Sequence, residues 1–361
     1  MQYPVYNFSA GPAVMPKEVL ASAQSELMNY QGTGMSVMEM SHRSGAFQAI
    51  YDQTVADLKQ LMNIPDNYKI LFLQGGATLQ FSMIPMNLVN KGCADFIVTG
   101  AWSEKAYKEA AKFLDAKCLA SSKDQNYSYI PDLNDLSIRD DADYVYICEN
   151  ETIHGTCYPQ LPDTKGKVLV SDQSSMFLSK PCNVSDYGLI FAGVQKNVAP
   201  AGMAIVIIRE DLICSDLAQN VPVYLRYDIH AKNDSMYNTP NCWGIYMCGK
   251  VFRHLLDLGG LEAVARRNEE KAAVLYDYLD ASSLFSGTAA KDCRSLMNVP
   301  FVTKDPELDK KLLKMAESRG LLNLKGHRSV GGLRASIYNA MPMEGVQALV
   351  QCLKDFEKEY I

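Results

Sequence analysis

Lys196 stands in "GVQKNVAPAGM" (193–203), a short turn between two apolar runs, "DYGLIFAG" and "AIVIIRE". Burial disfavours a charged amine, so a lysine held there is one that can lose its proton and serve as nucleophile or base. Small residues crowd it: Gly193, Ala199, Ala201 and Gly202. Three other features carry complementary chemistry. "FLQGGATLQF" runs from a strand through Gly75–Gly76 into a helix, whose free N–H groups make a phosphate cradle. Asp172 closes the apolar run "VLVSD", where a carboxylate can pair with a cationic ring nitrogen. Trp102 follows "DFIVTG", and an indole can stack on a flat ring.

Each feature alone has a plainer reading. A lysine in a turn is commonly solvated, and an aspartate commonly caps a turn. Gly-Gly before a helix is frequent, and a tryptophan can simply pack. Together, an amine, an anion cradle, a buried carboxylate and an aromatic face are what pyridoxal phosphate needs. The amine bonds its aldehyde, the carboxylate keeps its ring nitrogen protonated, and the ring takes electrons from a substrate carbanion.

The elements that would position this set alternate along the chain. Apolar runs at 69–74, 95–100, 143–149, 167–172, 189–193 and 204–209 read as strands of a mostly parallel sheet. Helices are expected at 16–30, 44–63, about 78–88 and after Trp102. Ligands in such sheets bind at the carboxyl ends of the strands, which puts "QGGAT", "GAW", "ENET", "SDQSS" and "AGVQK" on one rim. Beyond residue 257 the pattern changes to a long helix (261–280), "RSLMNVPFVT", a helix near 306–319, "GGLRASIY" and a last helix near 343–359. The division expected is a large domain of residues 16–257 and a small α+β domain of 1–15 with 258–361.

Composition narrows the class. The 361 residues are 48% hydrophobic and 21% charged, an ordinary globular mix. A net charge of −6 argues against nucleic acid as the main partner. No apolar segment reaches the length of a membrane span, and the N-terminus lacks the pattern of a signal peptide. Ten cysteines without a C-x-x-C pair read as reduced thiols of a cytoplasmic protein with no metal site.

"NFSAGPA", "SVMEMSHRSG", "GLIFAGVQKNVAPAGMAIVIIRE", "SMYNTP" and "KGHRSVGGLRASIYNAMP" together resemble the phosphoserine aminotransferase family of class V. The resemblance runs from Asn7 to the C-terminal helix. It implies a type I pyridoxal-phosphate fold: an α/β large domain with a mostly parallel seven-stranded sheet covered by helices, plus a smaller α+β C-terminal domain. It implies that Lys196 holds the cofactor covalently, Asp172 pairs with its ring nitrogen, Trp102 stacks on the ring and Thr152 meets the ring hydroxyl. Gly76, Ala77, Thr78 and Gln195 would hold the phosphate, with Asn238 and Thr239 from the partner of a homodimer. Where many relatives read "GGGRGQF" or "GGGCGQF", this chain reads "GGATLQF", so Thr78 supplies no cation there.

Two histidines are followed directly by arginine, His42–Arg43 and His327–Arg328, and Lys325 and Arg334 flank the second pair. Such clusters in an acidic chain suggest anion recognition. The resemblance gives Arg334 the substrate α-carboxylate, suited to its planar fork. It gives His42, Arg43, His327 and Arg328 the distal phosphate or carboxylate, with the first pair from the neighbouring subunit, and Ser9 assists glutamate. The activity implied converts 3-phosphohydroxypyruvate and L-glutamate to O-phospho-L-serine and 2-oxoglutarate, in L-serine biosynthesis. Some relatives also use 3-hydroxy-2-oxo-4-phosphooxybutanoate, in vitamin B6 biosynthesis. Two rival readings are a carbon–sulfur lyase or desulfurase on the same fold, and a non-catalytic binding protein. None of the ten cysteines sits in a loop suited to the first, and the Lys196, Asp172 and Arg334 set argues against the second.

Overall fold

All six apolar runs are strands of one sheet in the computed structural model, which describes residues 4–216, 220–303 and 305–360. Residues 1–3 and 361, the ends of the expected small domain, lie outside them. The strands are β1 (Tyr68–Gln74), β2 (Cys93–Val98), β3 (Asp115–Ser121), β4 (Tyr144–Cys148), β5 (Val168–Asp172), β6 (Leu189–Gly193) and β7 (Met203–Arg209). Their order across the sheet is β1-β7-β6-β5-β4-β2-β3. β7 runs antiparallel to both neighbours, and every other pair is parallel. β3 is the strand that the apolar pattern does not announce. It is an edge strand, "DAKCLAS", with no fully buried residue, so it lacks the continuous apolar signal of the others.

The helices are α1 (Lys17–Glu26), α2 (Gly45–Met62), α3 (Gly76–Leu88), α4 (Ala101–Ala110), α5 (Tyr227–Lys232), α6 (Cys242–Asp257), α7 (Gly260–Ala281), α8 (Pro306–Ser318) and α9 (Met343–Tyr360). Local chemistry sets several of their ends. Ser44 caps α2 by accepting the Phe47 N–H at 3.2 Å, and Asn63 closes it in the left-handed conformation. Asp305 caps α8, whose first residue is Pro306. α1 stops at Glu26, short of the expected residue 30, and a separate turn, Tyr30–Gly32, follows.

Alternation along the strands sends side chains to two apolar layers. Ile70, Phe72, Val145, Ile147, Ile190 and Ile205 pack with α1, α2 and α6. Leu71, Leu73, Phe96, Tyr146, Phe191 and Val206 pack on the other face with α3 and α4. Burying each such large side chain contributes about 1.5–3 kcal/mol. A smaller antiparallel sheet, β8 (Phe285–Gly287), β9 (Asn298–Thr303) and β10 (Leu333–Ser336), has β9 at its centre. Its core gathers Phe8, Phe301, Leu312, Leu349 and Phe356. α7 joins the two cores: Leu261 and Val264 enter the first, and Ala272, Leu275 and Leu279 the second.

Candidate active site

The site forms where β1, β4, β5 and β6 end. Register places Cys148 beside Asp172, and Asp172 beside Phe191. Just past the ladder, the Ser174 N–H donates to Asp172 Oδ1 at 2.8 Å, and Ser174 Oγ accepts the Gly193 N–H at 2.9 Å. The turn after β6 closes as Val198 and Ala199 donate to the Val194 carbonyl at 3.1 and 2.8 Å. It is tied to the Gly-Gly loop by the Gly75 N–H, which donates to the Gly202 carbonyl at 3.1 Å. Gly75 has φ +97°, and a Cβ there would lie 2.6 Å from Leu79 Cδ2, so no other residue fits without movement.

Lys196 reaches back across the rim. Its Nζ donates to Thr152 Oγ1 at 2.7 Å and lies 5.8 Å from the centroid of the Trp102 ring. Trp102 is fixed from below by Glu151, which is fully buried. The Glu151 carboxylate accepts the Trp102 N–H at 3.2 Å, the Ser103 N–H at 2.9 Å and Ser103 Oγ at 2.6 Å, which caps the start of α4. Gly100 leaves the room for it, since a Cβ there would sit 2.2 Å from the Glu151 carboxyl carbon.

These groups enclose a cavity of about 430 Å³, within the range of small-ligand sites. Burial pushes the Lys196 amine below the ordinary lysine range, against the opposing pull of Asp172, Cys148 and Glu151. Burial likewise raises the Asp172 carboxyl, while Lys196 and the bonds from Ser174 hold it down. Arg334 brings a cation to the edge: its Nη1 donates to the Thr152 carbonyl at 3.4 Å. Two buried donors here, Trp102 Nε1 and Arg334 Nε, have no protein partner. A flat, phosphorylated, electron-poor ring fits this donor set, with the Gly75–Gly76 helix start free for its anion.

Gly76, Ala77, Thr78, Trp102, Thr152, Asp172, Gln195 and Lys196 all line the cavity. Ser9, His42, Arg43, Asn238, Thr239, His327, Arg328 and Arg334 do not, though Arg334 reaches its edge through the Thr152 carbonyl. Arg43, Asn238, Thr239 and Arg328 are exposed, and His42 is half-buried. His327 lies by its Nδ1 against Ser329 Oγ at 2.8 Å; burial lowers its pKa, and Arg334, Arg328 and Lys105 add to that. Asn150, Ser174 and Ser175, which the rim segments "ENET" and "SDQSS" contain without a role assigned to them, also line the cavity, as do Gly11 and Cys148. Strand alternation counted back from Thr152 gives Asn150 and Cys148, so a period of two was the available signal.

Comparison with known proteins covers nearly the whole chain. Residues 5–349 match the model of the family described as Aminotransferase class-V. The phosphoserine aminotransferase of Nitrosomonas europaea is 50% identical, over 99% of this chain and 99% of that protein. The chain belongs to the phosphoserine aminotransferase family. Within that family, the solved enzyme from Bacillus circulans subsp. alkalophilus superposes with a TM-score of 0.97, at 45% identity and 99% coverage of both chains. The phosphoserine aminotransferase from Trichomonas vaginalis, solved with PLP bound, gives a TM-score of 0.91 at 39% identity, over 97% of this chain and all of that one. The chain is therefore a transferase of the aminotransferase type, on the type I fold of pyridoxal-phosphate enzymes. Among the described residues no helix is long and apolar enough to cross a membrane.

Proposed function

We propose that this chain binds pyridoxal phosphate and transfers the amino group of L-glutamate to 3-phosphohydroxypyruvate, giving 2-oxoglutarate and O-phospho-L-serine for L-serine biosynthesis. The observation that carries the reading is the convergence of Lys196, Thr152, Asp172 and Trp102 on one cavity beside a glycine-bounded helix start. Lys196 would hold the cofactor covalently, Asp172 would pair with its ring nitrogen, Trp102 would stack on the ring and Thr152 would bond its hydroxyl. Gly76, Ala77, Thr78 and Gln195 hold its phosphate. When bound, the cofactor supplies an electron sink for the pair released at the substrate α-carbon.

The protein's own groups do the rest. Lys196, whose burial lowers its pKa and so favours loss of its proton, takes the α-proton and returns it to the reacting carbon. Arg334 binds the α-carboxylate with its free Nε and forked nitrogens. His327 and Arg328 bind the distal anion with His42 and Arg43 of a second subunit, and Ser9 assists glutamate. Asn238 and Thr239 likewise act across the homodimer. Arg43, Asn238 and Thr239 are exposed and lie outside this cavity, which leaves them open to a second subunit. The division into residues 16–257 and 1–15 with 258–361 is supported by the two cores that meet along α7.

Half-reactions test the proposal. Enzyme loaded with pyridoxal phosphate and given glutamate alone should release about one 2-oxoglutarate per site, and then convert 3-phosphohydroxypyruvate to O-phospho-L-serine. Running 3-hydroxy-2-oxo-4-phosphooxybutanoate beside it tests the B6-pathway substrate. Failure to release 2-oxoglutarate without an acceptor, or equal use of pyruvate, contradicts the assignment.

A further inference from the structure

The Glu149 side chain lies behind the cavity rather than in it. It is 4% exposed, and one oxygen, Oε2, accepts three hydrogen bonds. The donors are Ser171 Oγ at 3.1 Å, Gln173 Nε2 at 3.0 Å and the Tyr187 hydroxyl at 3.0 Å. Ser171 and Gln173 are the chain neighbours of Asp172 on either side. Alternation turns both away from the face that Asp172 presents, just as it separates Glu149 from Cys148 and Asn150 in the cavity wall.

The backbone repeats the grip. The Glu149 N–H donates to the Asp172 carbonyl at 3.0 Å, and the Gln173 N–H to the Phe191 carbonyl at 2.9 Å. The ladder of β5 ends at Asp172, so Gln173 is the first residue that strand pairing no longer fixes. All four polar side chains are buried, with Tyr158, Phe177 and Val184 in the apolar core on this side. Hydrogen bonds within such a buried cluster are strong, and they hold the side chains in a fixed arrangement. We propose that Glu149 is a positioning residue that sets Asp172 against the ring nitrogen of the cofactor by pinning both its chain neighbours from the far side of the sheet.

This inference rests on the cavity being a pyridoxal-phosphate site. A charge-assisted bond to a ring nitrogen is short and directional, so a small displacement of Asp172 weakens it. The test is the dissociation constant of pyridoxal phosphate, titrated into cofactor-free protein, beside the thermal midpoint of each cofactor-free variant. Glu149→Ala should weaken binding at least tenfold and shift the pH titration of the visible band. Glu149→Gln, which keeps an acceptor oxygen, should stay within about threefold of the parent. Tyr187→Phe, which removes the donor remote from Asp172, should lower the midpoint and leave the dissociation constant unchanged.

If Glu149→Ala does not fold, Gln173→Leu carries the same tenfold expectation. Parental affinity in Glu149→Ala (or in Gln173→Leu, if that variant stands in) overturns the proposal whatever the midpoint. So does a loss in Glu149→Gln equal to that in Glu149→Ala, since charge rather than placement would then matter. A parent protein that binds no pyridoxal phosphate overturns the reading of the cavity as well, which separates the two failures.

Discussion

Lys196 Nζ donates to Thr152 Oγ1 across 2.7 Å, joining the turn after β6 to the strand-end segment after β4, 44 residues earlier in the chain. The bond gives the amine a defined resting place at the cavity wall. Replacing Thr152 by valine keeps the shape and removes the hydroxyl. The same hydroxyl is the proposed partner of the cofactor's ring hydroxyl, and losing a neutral hydrogen bond of about 0.5–1.5 kcal/mol should weaken pyridoxal phosphate binding roughly 2- to 13-fold. Absorbance titration of cofactor-free protein checks it.

Glu151 holds the start of α4 under Trp102. Glu151→Ala strands the Trp102 and Ser103 N–H groups in a buried place, at about 1–3 kcal/mol for each unpaired donor. Denaturant unfolding should show a loss of roughly 2–6 kcal/mol. Trp102 fluorescence should shift with it, because the indole loses its fixed support.

His154 is buried, and its ring meets that of Tyr127 at a centroid distance of 4.9 Å. Burial pushes its pKa down to about 4. Between pH 6.5 and 4 the unfolded chain therefore takes up a proton that the folded chain refuses, so stability is lost as pH falls through that window. The full effect is of the order of 3 kcal/mol. His154→Phe should flatten this part of the acid-unfolding curve, read by circular dichroism.

The proposed sharing of the site between two subunits predicts complementation. Homodimers of Lys196→Ala and of Arg43→Ala should each be nearly inactive with the phosphorylated acid. Mixed dimers should regain one working site, because both lesions fall on the other one. If Arg43 serves the site of its own chain, mixing restores nothing.

Much of the fold was legible because the central strands are buried on both faces and read as continuous apolar runs. β3 was hidden by its half-exposed, mixed sequence at the sheet edge. α6 was hidden by Gly244 and Gly249, poor helix formers. Gly249 is there for packing, since a Cβ would lie 2.4 Å from Thr54 Oγ1 on α2. Lys196, Asp172 and Trp102 stood out because each follows a strand at the carboxyl edge. Glu149, at the end of the expected strand 143–149, and Glu151, just beyond it, did not, since in sequence both look like solvent-facing charges at a strand end. Their burial is set by donors that only the tertiary fold brings near: the start of α4 for one, the flanks of Asp172 for the other.

The most direct test of the account is where the cofactor attaches. Protein reconstituted with pyridoxal phosphate should show a visible band, and borohydride should fix one cofactor per chain on the peptide that contains Lys196. Lys196→Ala should show neither the label nor transamination. A label on another lysine, or activity retained in Lys196→Ala, would contradict it.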